Sequence, residues 1–187
     1  MAKPEKFVFM KVGMHAGEPW ESILERKREE FRVAGKTFWG YGGATCHPLR
    51  QVQPFVKSVL QDSGGQVSLL MEMMDSKADP DIVPATEYSD DGLIWRPIPK
   101  GVTVTGSSFA IILGEIQETD LDIPLDEYSV GYGKSRGVLA SQYIQRRIDK
   151  ACLELASARG NASRRVHVTY TAPILEPYAV LLRGGKG

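Results

Sequence analysis

Hydrophobic positions fall into strand-like runs near the start, middle and end of the chain, with helical stripes between them. Phe7-Val8-Phe9-Met10-Lys11-Val12 is a short apolar run of strand composition, closed by Gly13. From Pro19 to Lys36 the period becomes helical: Trp20, Ile23, Leu24, Lys27 and Phe31 share one face, with Lys27 at its edge. Pro19 suits a first helical position, Glu18 and Glu21 suit the positive end, and Gly35 suits the stop. Pro48 opens a second helix with Leu49, Val52, Phe55, Val56, Val59 and Leu60 on one face and Gly64-Gly65 at its end. Pro54 inside it requires a start after Gln53 or a kink. Gln66–Met74 carries apolar residues on both alternating faces, which predicts a central strand.

Residues 75–86 hold three acids and two prolines and read as a surface loop. Thr86–Ser89 and Leu93–Ile98 flank Asp90-Asp91-Gly92, a hairpin signal. Val102–Val104 and Phe109–Ile116 read as strands, and Asp120–Asp126 as an acidic loop or edge. Val138–Leu155 reads as a third helix, with Leu139, Tyr143, Ile144, Ile148, Cys152 and Leu155 as its apolar face. Residues 157–165 read as an exposed turn, and Val166–Thr171 and Tyr178–Leu182 as two strands around Pro173 and Pro177. Strict β-α-β alternation is absent. The expectation is one α+β domain over residues 1–183, a mixed and mainly antiparallel sheet with about three helices packed on it. Residues 184–187 read as a flexible tail.

Composition adds little to this. The chain has 187 residues, 42% hydrophobic and 25% charged, with 23 basic and 23 acidic side chains, which fits a globular protein of ordinary make-up. The charges are unevenly placed. Residues 1–60 carry 10 basic and 6 acidic side chains, residues 61–130 carry 3 and 14, and residues 131–187 carry 10 and 3. Basic ends around an acidic middle suit solvated loops, or association between copies as a homo-oligomer. The balanced total argues against nucleic acid as a partner, despite the basic residues Arg146, Arg147, Lys150, Arg159, Arg164 and Arg165. No run is long enough for a signal peptide or a membrane span, and two cysteines far apart suit a reducing compartment. A cytoplasmic location is expected.

Two glycine-rich runs carry the candidate chemistry. In Phe38–Pro48, Trp39 and Tyr41 offer flat surfaces, Gly42, Gly43 and Thr45 offer polar edges, and His47 lies at the start of the second helix. The competing reading makes Phe38 and Trp39 core anchors and the glycines packing devices. In Gly131–Gly137, Gly133, Lys134, Ser135 and Arg136 would hold an anion before the expected third helix. The spacing is neither that of a phosphate-binding Walker loop nor that of a dinucleotide-binding glycine fingerprint. Here the competing reading is a solvated turn.

Cys46 and His47 are adjacent, and neighbours in an extended chain point apart, so they make a poor nucleophile–base pair. The three histidines, His15, His47 and His167, lack metal-ligand spacing. No metal and no cofactor are called for. The expected function is a cytosolic binder of a small planar anion, a nucleotide or nucleotide-derived signal, held by both loops. An enzyme acting on a phosphorylated substrate with His47 as acid or base is the alternative, and a protein-interaction or inhibitor module is the third.

Overall fold

The computed structural model describes residues 3–13, 18–43, 45–74, 83–145, 148–158, 160–161 and 164–184. Among the described residues, ten strands and three helices form an α+β fold, with strands mostly antiparallel. The strands are β1 (Lys6–Val12), β2 (Thr37–Tyr41), β3 (Ser68–Met73), β4 (Ala85–Ser89), β5 (Arg96–Pro97), β6 (Phe109–Leu113), β7 (Gln117–Pro124), β8 (Tyr128–Val130), β9 (Lys150–Leu155) and β10 (Arg165–Gly184). The helices are α1 (Trp20–Ala34), α2 (Gln53–Ser63) and the short α3 (Ala140–Tyr143).

The long strand β10 joins two halves of the sheet. Its first part pairs with β3 and β7, and its second part with β6 and β4. The change falls at a register shift between Ile174 and Ala179, where Tyr178 has a left-handed φ of 73°. From the first part the sheet continues as β3-β1-β9-β8, and from the second as β6-β2. Val8 pairs with Leu69 in the parallel ladder between β1 and β3.

Alternation on the strands builds three cores. Val8, Met10 and Val12 of β1 face a central core with Leu69 and Met71 of β3, Trp20 and Ile23 of α1, and Phe55 and Val56 of α2. Phe7 and Phe9 point the other way, into a second core with Tyr128, Leu153 and Val166. Phe38, Ile112 and Val180 form a third core behind the other half of the sheet, closed by Val102 and Val104. Burial on both faces explains why β1 and β3 read as near-continuous apolar runs.

α1 ends at Gly35, whose φ of 69° is left-handed and whose N–H donates to Phe31 O. Pro48–Val52 forms a turn of π-helix, and α2 begins at Gln53 with Pro54 in its first turn, where no N–H is needed.

Four expectations are corrected. Phe38–Tyr41 is strand β2, paired with β6, and not part of a loop. Residues 138–155 do not form a helix: α3 covers four residues, and β9 pairs with both β1 and β8. Those two neighbours satisfy the β9 backbone on both sides, and that pairing overrides the helical spacing. Val102–Val104 is not a strand, although Thr105 bridges to Pro84. The two terminal strands are one, β10, which includes Gly184, the first residue of the expected tail. The remaining tail, 185–187, lies outside the described residues, as do His15, Arg146, Arg147, Arg159 and most of the 75–86 loop. Among the described residues, no helix is long and apolar enough to cross a membrane.

Candidate functional site

A cavity of about 300 Å³ lies beyond the carboxyl ends of the parallel strands β1 and β3, lined by Val12, Gly13 and Met74. Trp39, Gly40, Tyr41 and Gly42 at the end of β2 form a second wall. α1 contributes Glu18 just before its start, then Ile23, Arg26 and Lys27, and residues 103–107 close a third side. Asp149 and Lys150, at the start of β9, complete it.

Two ion-pair groups sit around this space. On the α1 side, Arg26 donates to both oxygens of Glu18 (3.2 and 2.6 Å), which holds the Glu18 carboxyl below its ordinary range. Behind it, Glu30 is 2% exposed and accepts from Lys27 Nζ (2.9 Å), the Thr103 N–H (3.0 Å) and the Thr37 hydroxyl. The Lys27 ammonium also donates to Phe38 O and Thr103 O, both at 2.7 Å. All three of its donors are used. Burial lowers its pKa to about 8, against the pull of Glu30. Lys27 is therefore a structural tie between α1, β2 and the 103–107 segment.

Lys150 differs. Its side chain is 5% exposed, and it donates to Asp149 Oδ1 at 2.6 Å. Among the described residues this is its one hydrogen-bond acceptor, so a buried ammonium at the cavity wall keeps two donors for another group. Its Nζ also lies 5.4 Å from the Tyr41 ring centre. Asp149 is fixed by the Thr45 hydroxyl (3.2 Å to Oδ1) and by Lys11 N–H, which donates to Asp149 O at 2.8 Å. Lys11 also lines the cavity. Lys11, Arg26, Lys27 and Lys150 all line the cavity, and each has a carboxylate partner, in Glu72, Glu18, Glu30 and Asp149 respectively.

Of the sequence candidates, Trp39, Tyr41 and Gly42 line this cavity. Trp39 and Tyr41 are each 6% exposed, so they form its floor and do not present open faces. Trp39 packs edge-on against Trp20 at 5.8 Å. The Tyr41 hydroxyl donates to Cys46 O at 3.0 Å, and burial pushes that phenol well up. Gly43, with a φ of 88°, is exposed and does not line the cavity. Gly40 has a packing reason: a Cβ there would lie 2.5 Å from Ser107 Oγ and 2.8 Å from Val104 Cγ2. Its absence lets residues 103–107 close against β2.

His47 stands outside the cavity lining. Its Nδ1 accepts the Leu49 N–H at 3.2 Å, capping the π-helical turn. Burial and then Arg50 lower its pKa, so the ring is neutral with its proton on Nε2.

The second glycine run forms a turn after β8, closed by Gly137 N–H to Val130 O and Val130 N–H to Val138 O, both at 2.8 Å. It opens onto four-residue α3 and has no long helix dipole behind it. Lys134 is exposed, and Arg136 is exposed and pairs with Glu154 at 3.6 Å. The two runs are neighbours through Gln51. Its Oε1 accepts the His47 N–H at 2.8 Å, and its Nε2 lies 3.2 Å from where a Cβ on Gly133 would sit. Gly133, Lys134, Ser135 and Arg136 nevertheless do not line the cavity. Its cations come from α1, β1 and β9.

Reading 138–155 as a helix hid Lys150 on a polar helix face. At strand period, Lys150, Cys152 and Glu154 fall on one side and Ala151 and Leu153 on the other, the pattern that β9 displays. No described cluster of three or more His, Cys, Asp or Glu residues has the geometry to hold a metal ion. Comparison with protein-family models, with characterised proteins and with solved structures finds no match for this chain.

Proposed function

We propose that the chain is a cytosolic binder of a small, planar, anionic ligand, with a nucleoside monophosphate as the class that fits best. The observation that carries this reading is the buried Lys150 ammonium, with two donors uncommitted among the described residues, on the wall of a cavity floored by Trp39 and Tyr41. A charge-assisted bond to a phosphate or carboxylate is strongest where water is excluded. The volume of about 300 Å³ lies at the small end of ligand pockets and suits one mononucleotide. Gly42 and the 103–107 segment supply polar backbone along the rim.

Lys150 takes the anchoring role that the sequence assigned to Lys134, Ser135 and Arg136. Thr45 acts one step back, by orienting Asp149. His47 as acid or base gains no support, because its Nδ1 is committed to the Leu49 N–H and its ring is not on the cavity.

A thermal-shift screen with nucleoside monophosphates and phosphorylated metabolites tests this. A ligand of the native state raises the melting temperature by linkage. The reading requires a shift with at least one planar anion and none with ribose 5-phosphate alone. No shift with any compound sinks it.

A further inference from the structure

Cys46 and Cys152 are the two cysteines of the chain, 106 positions apart, and the fold brings their sulfurs to 3.8 Å. Both are buried, at 4% and 3% exposure. They meet in a small internal space shared with Gln51, Tyr132, Tyr143 and Lys150. The two anchors differ. Cys152 is held within β9, paired with Val8 of β1. Cys46 lies in the irregular stretch between β2 and the π-helical turn, with a left-handed φ of 56° that is uncommon for a side-chain-bearing residue. A disulfide has an S–S length of about 2.05 Å, so closing the gap takes a movement of roughly 2 Å, which falls on the irregular partner.

We infer that Cys46 and Cys152 are a thiol–disulfide couple that forms a reversible intramolecular bond on exchange with a small-molecule disulfide such as glutathione disulfide. Cys46, as its thiolate, attacks one sulfur of glutathione disulfide. The S–S bond breaks and one glutathione leaves as thiolate and takes up a proton. Cys152 then gives up its proton and attacks the Cys46 sulfur, and the second glutathione leaves. Two protein thiols become one disulfide, and one glutathione disulfide becomes two glutathione thiols. Cys152, held inside the β9–β1 ladder, is the resolving partner, and Cys46 in the irregular stretch is the one that moves out to react first; burial also keeps the Cys152 thiol above its ordinary range. The bond ties the segment after β2 to the strand that carries Lys150, and it closes a long loop, where a cross-link restricts the unfolded chain most.

The test uses the full folded chain, exposed to glutathione disulfide, then unfolded, alkylated and weighed intact. Reduced protein accepts two alkyl groups. Oxidised protein accepts none, has lost two hydrogens, runs as the same oligomer, melts several degrees higher, and returns to two thiols with dithiothreitol. Cys152→Ser traps one glutathione on Cys46, and Cys46→Ser takes up none. The inference is overturned if native protein keeps both thiols while denatured protein loses them, or if the bond forms between chains. It is also overturned if glutathione stays on Cys46 while Cys152 remains alkylatable.

Discussion

The Lys150 ammonium stands 5.4 Å from the centre of the Tyr41 ring. The contact joins β9 to β2 across the cavity and gives the buried cation a soft electrostatic partner, while Asp149 Oδ1 accepts one hydrogen bond from it at 2.6 Å. Among the described residues its other two donors are uncommitted, and they define the candidate site more sharply than either glycine-rich run does.

Glu30→Gln removes the carboxylate that neutralises Lys27 in the wall behind the cavity. Lys27 is 5% exposed, so its charge loses its hydrogen-bonded counterion and keeps only the weaker pull of Glu18. Loss of one partner from a buried pair costs about 3–5 kcal/mol. Urea unfolding at pH 7 measures this. A loss below about 1 kcal/mol would contradict the central place given to that pair.

Gly40→Ala puts a methyl group 2.5 Å from Ser107 Oγ and 2.8 Å from Val104 Cγ2. Overpacking of this kind costs about 1–3 kcal/mol. The expected result is a lower melting temperature together with shifted amide signals for residues 103–107 in NMR spectra. Unchanged signals there would mean that the segment does not rest on β2 as described.

Much of the fold was legible in the sequence because local signals and tertiary demands agree. α1 has its apolar stripe, its acidic first turn and a left-handed Gly35. β1 and β3 are apolar on both faces because both faces are buried. The hairpin around Asp91 was readable because that carboxylate caps the turn, accepting from the N–H groups of Leu93 and Ile94. Residues 138–155 misled because six apolar positions fit a helical face, while the ladder partners of β9 are far away in sequence. The same long-range pairing concealed Lys150, and the meeting of Cys46 with Cys152. Trp39 and Tyr41 were visible as aromatics. Their role as a buried floor follows from the pairing of β2 with β6, which periodicity cannot report.

His47 accepts a hydrogen bond through Nδ1, and burial lowers its pKa below the ordinary 6.5. Its contribution to stability is present above that ordinary value and is lost as pH falls through the depressed folded-state value, when Nδ1 takes a proton and can no longer cap the turn. Titration of the ring signals by NMR is expected to give a midpoint below 6.5. His47→Ala should remove the matching acid-induced loss of stability. A midpoint above the ordinary value would assign the ring a carboxylate or anion partner instead.

The most direct measurement is calorimetric titration of adenosine monophosphate into the wild-type chain, Lys150→Met and Lys134→Ala, each checked for folding by circular dichroism. Loss of a charged hydrogen bond costs about 1.5–3 kcal/mol, or roughly 10- to 100-fold in affinity. The account predicts that Lys150→Met weakens binding by that factor while Lys134→Ala binds as the wild type does. Loss of binding in Lys134→Ala with full affinity in Lys150→Met would contradict it, and would move the anion to the exposed turn after β8.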